Sequence, residues 1–162
     1  MAETNRRAFC GAVGTAVLTG FTGCSTLGSK DPPAGSLRFA NSDDVPHVIS
    51  VRVTGVGAEP GDSPGAVTGE VIVPPAQRTL SASASVGPNE QHTYRSVFTE
   101  PVWYGIRFTF DDRRPENDTG ITRFHPSPPD STTGRYLTGR VSESGKFTWS
   151  ISGTDNTGTF GE

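Results

Sequence analysis

Three histidines, His47, His92 and His125, are the only imidazoles in this 162-residue chain. Together with the carboxylates they are the side chains best suited to acid–base or metal chemistry. His47 closes the stretch Asn41-Ser42-Asp43-Asp44-Val45-Pro46-His47 and opens an apolar run. His92 lies in Glu90-Gln91-His92-Thr93-Tyr94, and His125 sits between Phe124 and Pro126. A protein-held metal needs at least three converging ligands. The histidines have no close spacing of the HExxH kind, so only the fold could bring them together. The expectation is therefore no metal and no cofactor, with His47 as a structural residue at one end of the domain. The carboxylate pairs Asp43-Asp44 and Asp111-Asp112 are sequence neighbours, and neighbours on a strand point to opposite faces, which does not suit a paired acid and base. Glu116 and Asp118 could join Asp111 and Asp112 around calcium. Arg113-Arg114 competes for the same carboxylates, and a solvated acidic loop is the simpler reading. No Gly-x-Ser-x-Gly elbow and no Gly-rich phosphate loop is present. No catalytic set is assembled in the sequence, and the chain reads as a non-enzyme. The competing reading is a loop-built metal-binding protein or hydrolase, the latter using His125, Asp111 and Glu116, which would have to converge in one cleft.

The elements that must position these residues follow a period of two. Leu37 and Phe39 alternate in a first strand. Ile49, Val51 and Val53 share a face with His47, opposite Val48, Ser50 and Arg52. Further strands are predicted over 69–73, 77–86, 90–98, 101–110, 135–141 and 146–152, eight in all. In 101–110 the inward set is Val102, Tyr104, Ile106, Phe108 and Phe110, which turns Trp103 and Arg107 outward. In the last strand Phe147, Trp149 and Ile151 share a face. With 20 glycines and 13 prolines, tight connections are plentiful, while helix signals are absent. The fold class is all-β: an antiparallel β-sandwich, immunoglobulin-like or cupredoxin-like, with about eight strands. An eight-stranded barrel is the alternative. Residues 111–134 read as one long loop that covers Trp103.

The N-terminus carries different information. Residues 1–23 combine Arg6-Arg7 with a short apolar stretch from Ala8 to Phe21, the size of a signal-peptide core and too short to span a bilayer comfortably. The pattern Arg6-Arg7-Ala8-Phe9 resembles a twin-arginine export signal. Thr22-Gly23-Cys24 resembles the lipobox of exported lipoproteins, although Phe21 stands where leucine is usual. That resemblance implies cleavage before Cys24 and lipid attachment to it. Residues 24–35 (CSTLGSKDPPAG) are small, polar and Pro-rich, a flexible tether, and 36–162 form a single domain. The implied location is the outer face of the cytoplasmic membrane, with membrane lipid as the partner of the anchor.

Formal net charge is −3, with 17 acidic against 14 basic residues. This mild acidity argues against nucleic acid, which requires a basic face. Abundant Asp, Thr and Ser with only two lysines resemble haloarchaeal twin-arginine-exported lipoproteins that carry a β-sandwich. The Asn41–His47 stretch also resembles the part of cupredoxins, halocyanin-like ones included, in which an asparagine precedes the first copper histidine. A blue-copper site needs two imidazoles and a thiolate. Residues 136–151 contain neither Cys nor His, so the resemblance extends to the fold but not to the metal. The function expected is a membrane-anchored, non-catalytic binding or surface-structural module, with a cupredoxin relative that has lost its copper as the alternative. Trp103, Arg107 and His47 are its candidate contact surface for a cell-surface protein or glycan. Asn117-Asp118-Thr119 is an N-glycosylation sequon with Asn117 as acceptor.

Overall fold

The computed structural model describes residues 31–158 and 160. The expected export signal, with Arg6, Arg7 and Phe9, and the expected lipid-attachment residue Cys24 lie outside the described residues. The period-two runs pair into two four-stranded sheets that pack face to face as a sandwich. The first sheet has the order β10-β9-β1-β6, from Phe147–Thr154, Gly134–Val141, Leu37–Asn41 and Gln91–Tyr94. The second has the order β5-β2-β7-β8, from Ser81–Val86, His47–Gly57, Trp103–Phe110 and Ile121–Phe124. A two-stranded ribbon, β3 (Glu59–Pro60) with β4 (Val67–Thr68), projects from the end of β2. Pairing is antiparallel throughout except between β1 and β9, which run parallel.

The core shows why a lean apolar composition suffices. Phe39 on β1 and Trp149 on β10 flank Gly139 of β9 in register. The gap left by the missing side chain is filled from the other sheet: a Cβ at Gly139 would lie 2.8 Å from Phe108 Cε1 and 3.4 Å from Ile49. Phe108 also meets Phe147 at a ring distance of 5.3 Å. Deeper in the sandwich Phe98 contacts Tyr104 at 5.0 Å and Phe124 at 4.8 Å. Leu37, Phe39, Ile49, Tyr104, Ile106, Phe108, Phe124 and Leu137 are fully buried. Each such side chain contributes about 1.5–3 kcal/mol on burial, so a few interlocked aromatic residues replace the missing leucines.

Four segments depart from the expected strands. Residues 69–73 join no strand ladder; Val73 turns inward while Ile72 is wholly exposed, and Pro74-Pro75 then ends the segment. Residues 77–86 do not begin as a strand. Pro75 at the first helical position sets a single helical turn, α1 (Pro75–Arg78), which swings Gln77 into the interior before β5 starts. The strand expected over 90–98 stops at Tyr94, because Val97 and Phe98 donate both of their N–H groups to the Gly35 carbonyl instead of to a ladder. Within the expected 111–134 loop, Ile121–Phe124 forms β8 and pairs with β7. There Thr122 and Phe124 point inward, with a threonine where an apolar residue would have given the signal.

Candidate functional site

At one end of the sandwich the chain builds a polar knot around His47. Asn41, the last residue of β1, is almost completely buried. Its side-chain oxygen accepts from Asp43 N–H at 2.9 Å, closing the turn after β1. Its Nδ2 lies within bonding distance of the carbonyls of Val45 (2.7 Å), Val86 (3.1 Å) and Gly87 (3.2 Å). Asn41 thus fastens the β1–β2 turn to the end of β5, and this delivers Asp43 beneath His47.

The second carboxylate arrives from β7. That strand ends in a two-residue turn at Asp111-Asp112, closed by paired bonds between Phe110 and Arg113. Both aspartates have positive φ (47° and 59°), a conformation that Asp tolerates better than most residues. Asp111 then extends the β2–β7 ladder. Its N–H donates to Val48 O at 2.8 Å, and its Oδ1 accepts from Val48 N–H at 2.9 Å. The other oxygen, Oδ2, meets His47 Nδ1 at 2.8 Å, while His47 Nε2 meets Asp43 Oδ2 at 2.9 Å. The imidazole also packs on Phe110, at a ring distance of 4.8 Å, and only 11% of the side chain is exposed.

Carboxylate oxygens only accept, so both bonds exist together only when both ring nitrogens carry protons. Below the pKa of His47 the site is therefore an imidazolium held between two carboxylates. Burial works against the charged ring, but bonds to Asp43 and Asp111 outweigh it and raise the His47 pKa above the ordinary histidine value. The bond to His47, followed by that to Asp44 N–H, lowers Asp43. Desolvation pushes Asp111 upward, but the Val48 N–H and His47 overcome it, and its pKa is lowered. In that state neither nitrogen is left to coordinate a metal or act as a base. The histidine that resembled the first ligand of a copper site is here the pin of a structural staple.

The other histidines lie elsewhere. His92 is on edge strand β6, with Nε2 at 3.5 Å from Glu90 on the surface. His125 follows β8, whose last residue pairs with the start of β7, at the opposite end from Asp111. His125 is buried; its Nδ1 accepts from Ser127 N–H at 3.1 Å, and its ring meets Trp103 edge-on at 5.2 Å. Burial, aided by the Arg135 charge, lowers its pKa, so it is the neutral ring. His125 and Asp111 do not share a cleft, and the hydrolase constellation is not assembled. Among the described residues no group of three or more His, Cys, Asp or Glu side chains could hold a metal ion. Trp103 is half-buried against His125, and Asn117 is exposed in a short 3-10 turn, Glu116–Asp118.

Near the His125 end lies a buried polar cluster that sequence reasoning missed. Tyr104 donates to Gln77 Oε1 at 2.8 Å, and Gln77 Nε2 donates to Val97 O at 3.2 Å. Burial raises the Tyr104 pKa, so the phenol stays protonated. Gln77 lay within an expected strand, and no pattern marked it as an inward residue.

A second feature lies on the outer face of the second sheet. Ser50 and Arg52 of β2, Ser81 and Ser83 of β5, and Arg107 and Thr109 of β7 all point away from the core. With Arg114 from the following loop they line a depression of about 450 Å³. Arg52 and Arg107 stand directly opposite one another across the β2–β7 ladder. Among the described residues no arginine or lysine has a carboxylate within 4.0 Å; the ion pairs all involve histidine. Arg38, Arg78 and Arg123 nevertheless donate to protein oxygens, on Thr93, Val71 and Gly61. Arg52, Arg107 and Arg114 do not, and Arg107 Nε is buried without a partner. Only Arg107 stood out in the sequence. Arg52 becomes visible once the register is known, because register sets the two guanidinium groups side by side.

Comparison of the chain with protein-family models, with curated proteins and with solved structures returns no match.

Proposed function

We propose that this protein is a non-catalytic β-sandwich binding module, exported and held at the outer face of the membrane by lipid on Cys24. The observation that carries the reading is the contrast between its two polar regions. The carboxylates and the imidazole at the His47 end are used up in bonds to one another, with no nucleophile poised beside a free base. The arginines of the sheet face are left without partners around an open depression, which is how a surface prepared for a ligand differs from one that only holds the fold. The N-terminal pattern around Arg6, Arg7 and Phe9, followed by Cys24, supports export and anchoring. Among the described residues no helix is long and apolar enough to cross a membrane, and two lipid chains on one cysteine would hold the domain firmly.

Fractionation of cells expressing the full chain tests the anchor. The protein should pellet with membranes and be released by detergent. Cys24→Ser should shift it to the soluble exported fraction, and Arg6→Lys with Arg7→Lys should keep it inside the cell. A Cys24→Ser protein that still pellets with membranes would overturn the lipid anchor.

A further inference from the structure

We propose that the depression between Arg52, Arg107 and Arg114 binds an acidic saccharide, a sugar bearing carboxylate or sulfate groups. The inference rests on the binding-module reading and names its ligand class.

Like charges directly opposite on neighbouring strands oppose folding, yet Arg52 and Arg107 face each other with no carboxylate between them. Arg114 adds a third guanidinium from the loop above. Asp118 lines an adjoining smaller depression with Arg107 and Arg114 but lies beyond 4.0 Å of both guanidinium groups. An oxyanion placed among the three would turn repulsion into charge-assisted hydrogen bonding, for which the planar guanidinium is well shaped.

The rest of the lining narrows the class. Ser50, Ser81, Ser83 and Thr109 surround the arginines with hydroxyls, and Ser50 and Ser83 already bond to each other at 2.7 Å. Such groups both donate and accept, which matches the ring hydroxyls of a sugar. Val51 and Ala82, the only apolar residues of the lining, belong to the core side of their strands, so the carbon that the depression exposes comes with the polar side chains, as stems against which a sugar ring can lie. The chain as a whole is acidic, which repels any long polyanion beyond the arginine cluster and limits the ligand to a short, locally charged one. A volume of about 450 Å³ lies within the range of small-ligand sites.

Calorimetric titration of the full chain at low salt provides the test, with oligogalacturonate, a sulfated malto-oligosaccharide, neutral malto-oligosaccharide and sodium sulfate as probes. At least one of the two acidic sugars should bind about tenfold or more tightly than both the neutral sugar and free sulfate. Arg52→Gln and Arg114→Gln should each weaken that binding about tenfold, while Arg140→Gln, on exposed β9 surface of the other sheet, should leave it unchanged. Arg52 and Arg114 are both exposed, so these variants should keep the fold, which thermal denaturation checks. The proposal is overturned if neither acidic sugar binds, if the substitutions have no effect, or if free sulfate binds as tightly as the sugars. Failure here leaves the anchoring result untouched, and failure of anchoring leaves this titration intact.

Discussion

Arg52→Glu is the sharpest perturbation of the arginine face. In the native sheet, Arg52 on β2 and Arg107 on β7 form a directly opposed like-charge pair. Each such pair costs roughly 0.2–1 kcal/mol, and an opposite-charge pair at the same positions contributes a similar amount. Reversing one charge therefore moves the balance by both amounts, about 0.5–2 kcal/mol in favour of the fold. For a domain of this size that is a rise in Tm of about 2–7 °C. The substitution is conformationally simple, since residue 52 is exposed mid-strand and the side chain need not enter the core. Thermal denaturation followed by circular dichroism is the assay, run at low salt and near 1 M salt. The gain should shrink at high salt, where the screening length falls to about 3 Å. A variant that is less stable than the native protein at low salt, or whose shift ignores salt, would refute the unpaired-arginine description. The same substitution should abolish acidic-sugar binding, so stability and binding should move in opposite directions.

Gly139→Val should destabilise the domain by about 1–3 kcal/mol in urea denaturation, because the new side chain meets Phe108 across the sandwich; an unchanged midpoint would contradict the inter-sheet contact. The two inner histidines should show opposite pH dependence. The raised pKa of His47 means its contribution is complete below the unfolded value of about 6.5 and is lost as pH rises through its folded value. His47→Asn should therefore cost more stability at pH 5.5 than at pH 9. His125 has a lowered pKa, so its contribution is complete above about 6.5 and is lost as pH falls. His125→Phe should cost more at pH 8 than at pH 5, by the same urea measurement.

Much of the fold was legible because half-buried strands write their geometry into the sequence. Leu80, Ala82, Ala84 and Val86 alternate with serines, and the buried face follows that alternation. The same reading failed where local structure is set by something other than alternation. Pro75 turned an expected strand start into a helical turn, and Thr122 hid β8 by occupying an inward position. The parallel pairing of β1 with β9 depends on chain crossings between the sheets, which no local pattern records. At the candidate sites, the Asn41–Asp44 turn and the strand start at His47 were readable, but Asp111 was not recognisable as a partner of His47. It lies 64 residues away and arrives through the β2–β7 register. The arginine face was half-visible for a similar reason: Arg107 was marked by its outward position, whereas Arg52 and Arg114 gained meaning only as its neighbours.

Whether the His47 end is closed to ligands or free to react is decided most directly by nitrogen-15 NMR of the histidine side chains. At pH 6 the His47 ring should show both nitrogens protonated, with the two N–H protons that face Asp43 and Asp111 exchanging slowly with water, and should titrate above the ordinary histidine range. His125 in the same spectrum should be a neutral ring protonated only at Nε2. A His47 ring that is neutral at pH 6, with one unprotonated nitrogen, would contradict the staple and reopen that end of the sandwich as a site for metal or acid–base chemistry.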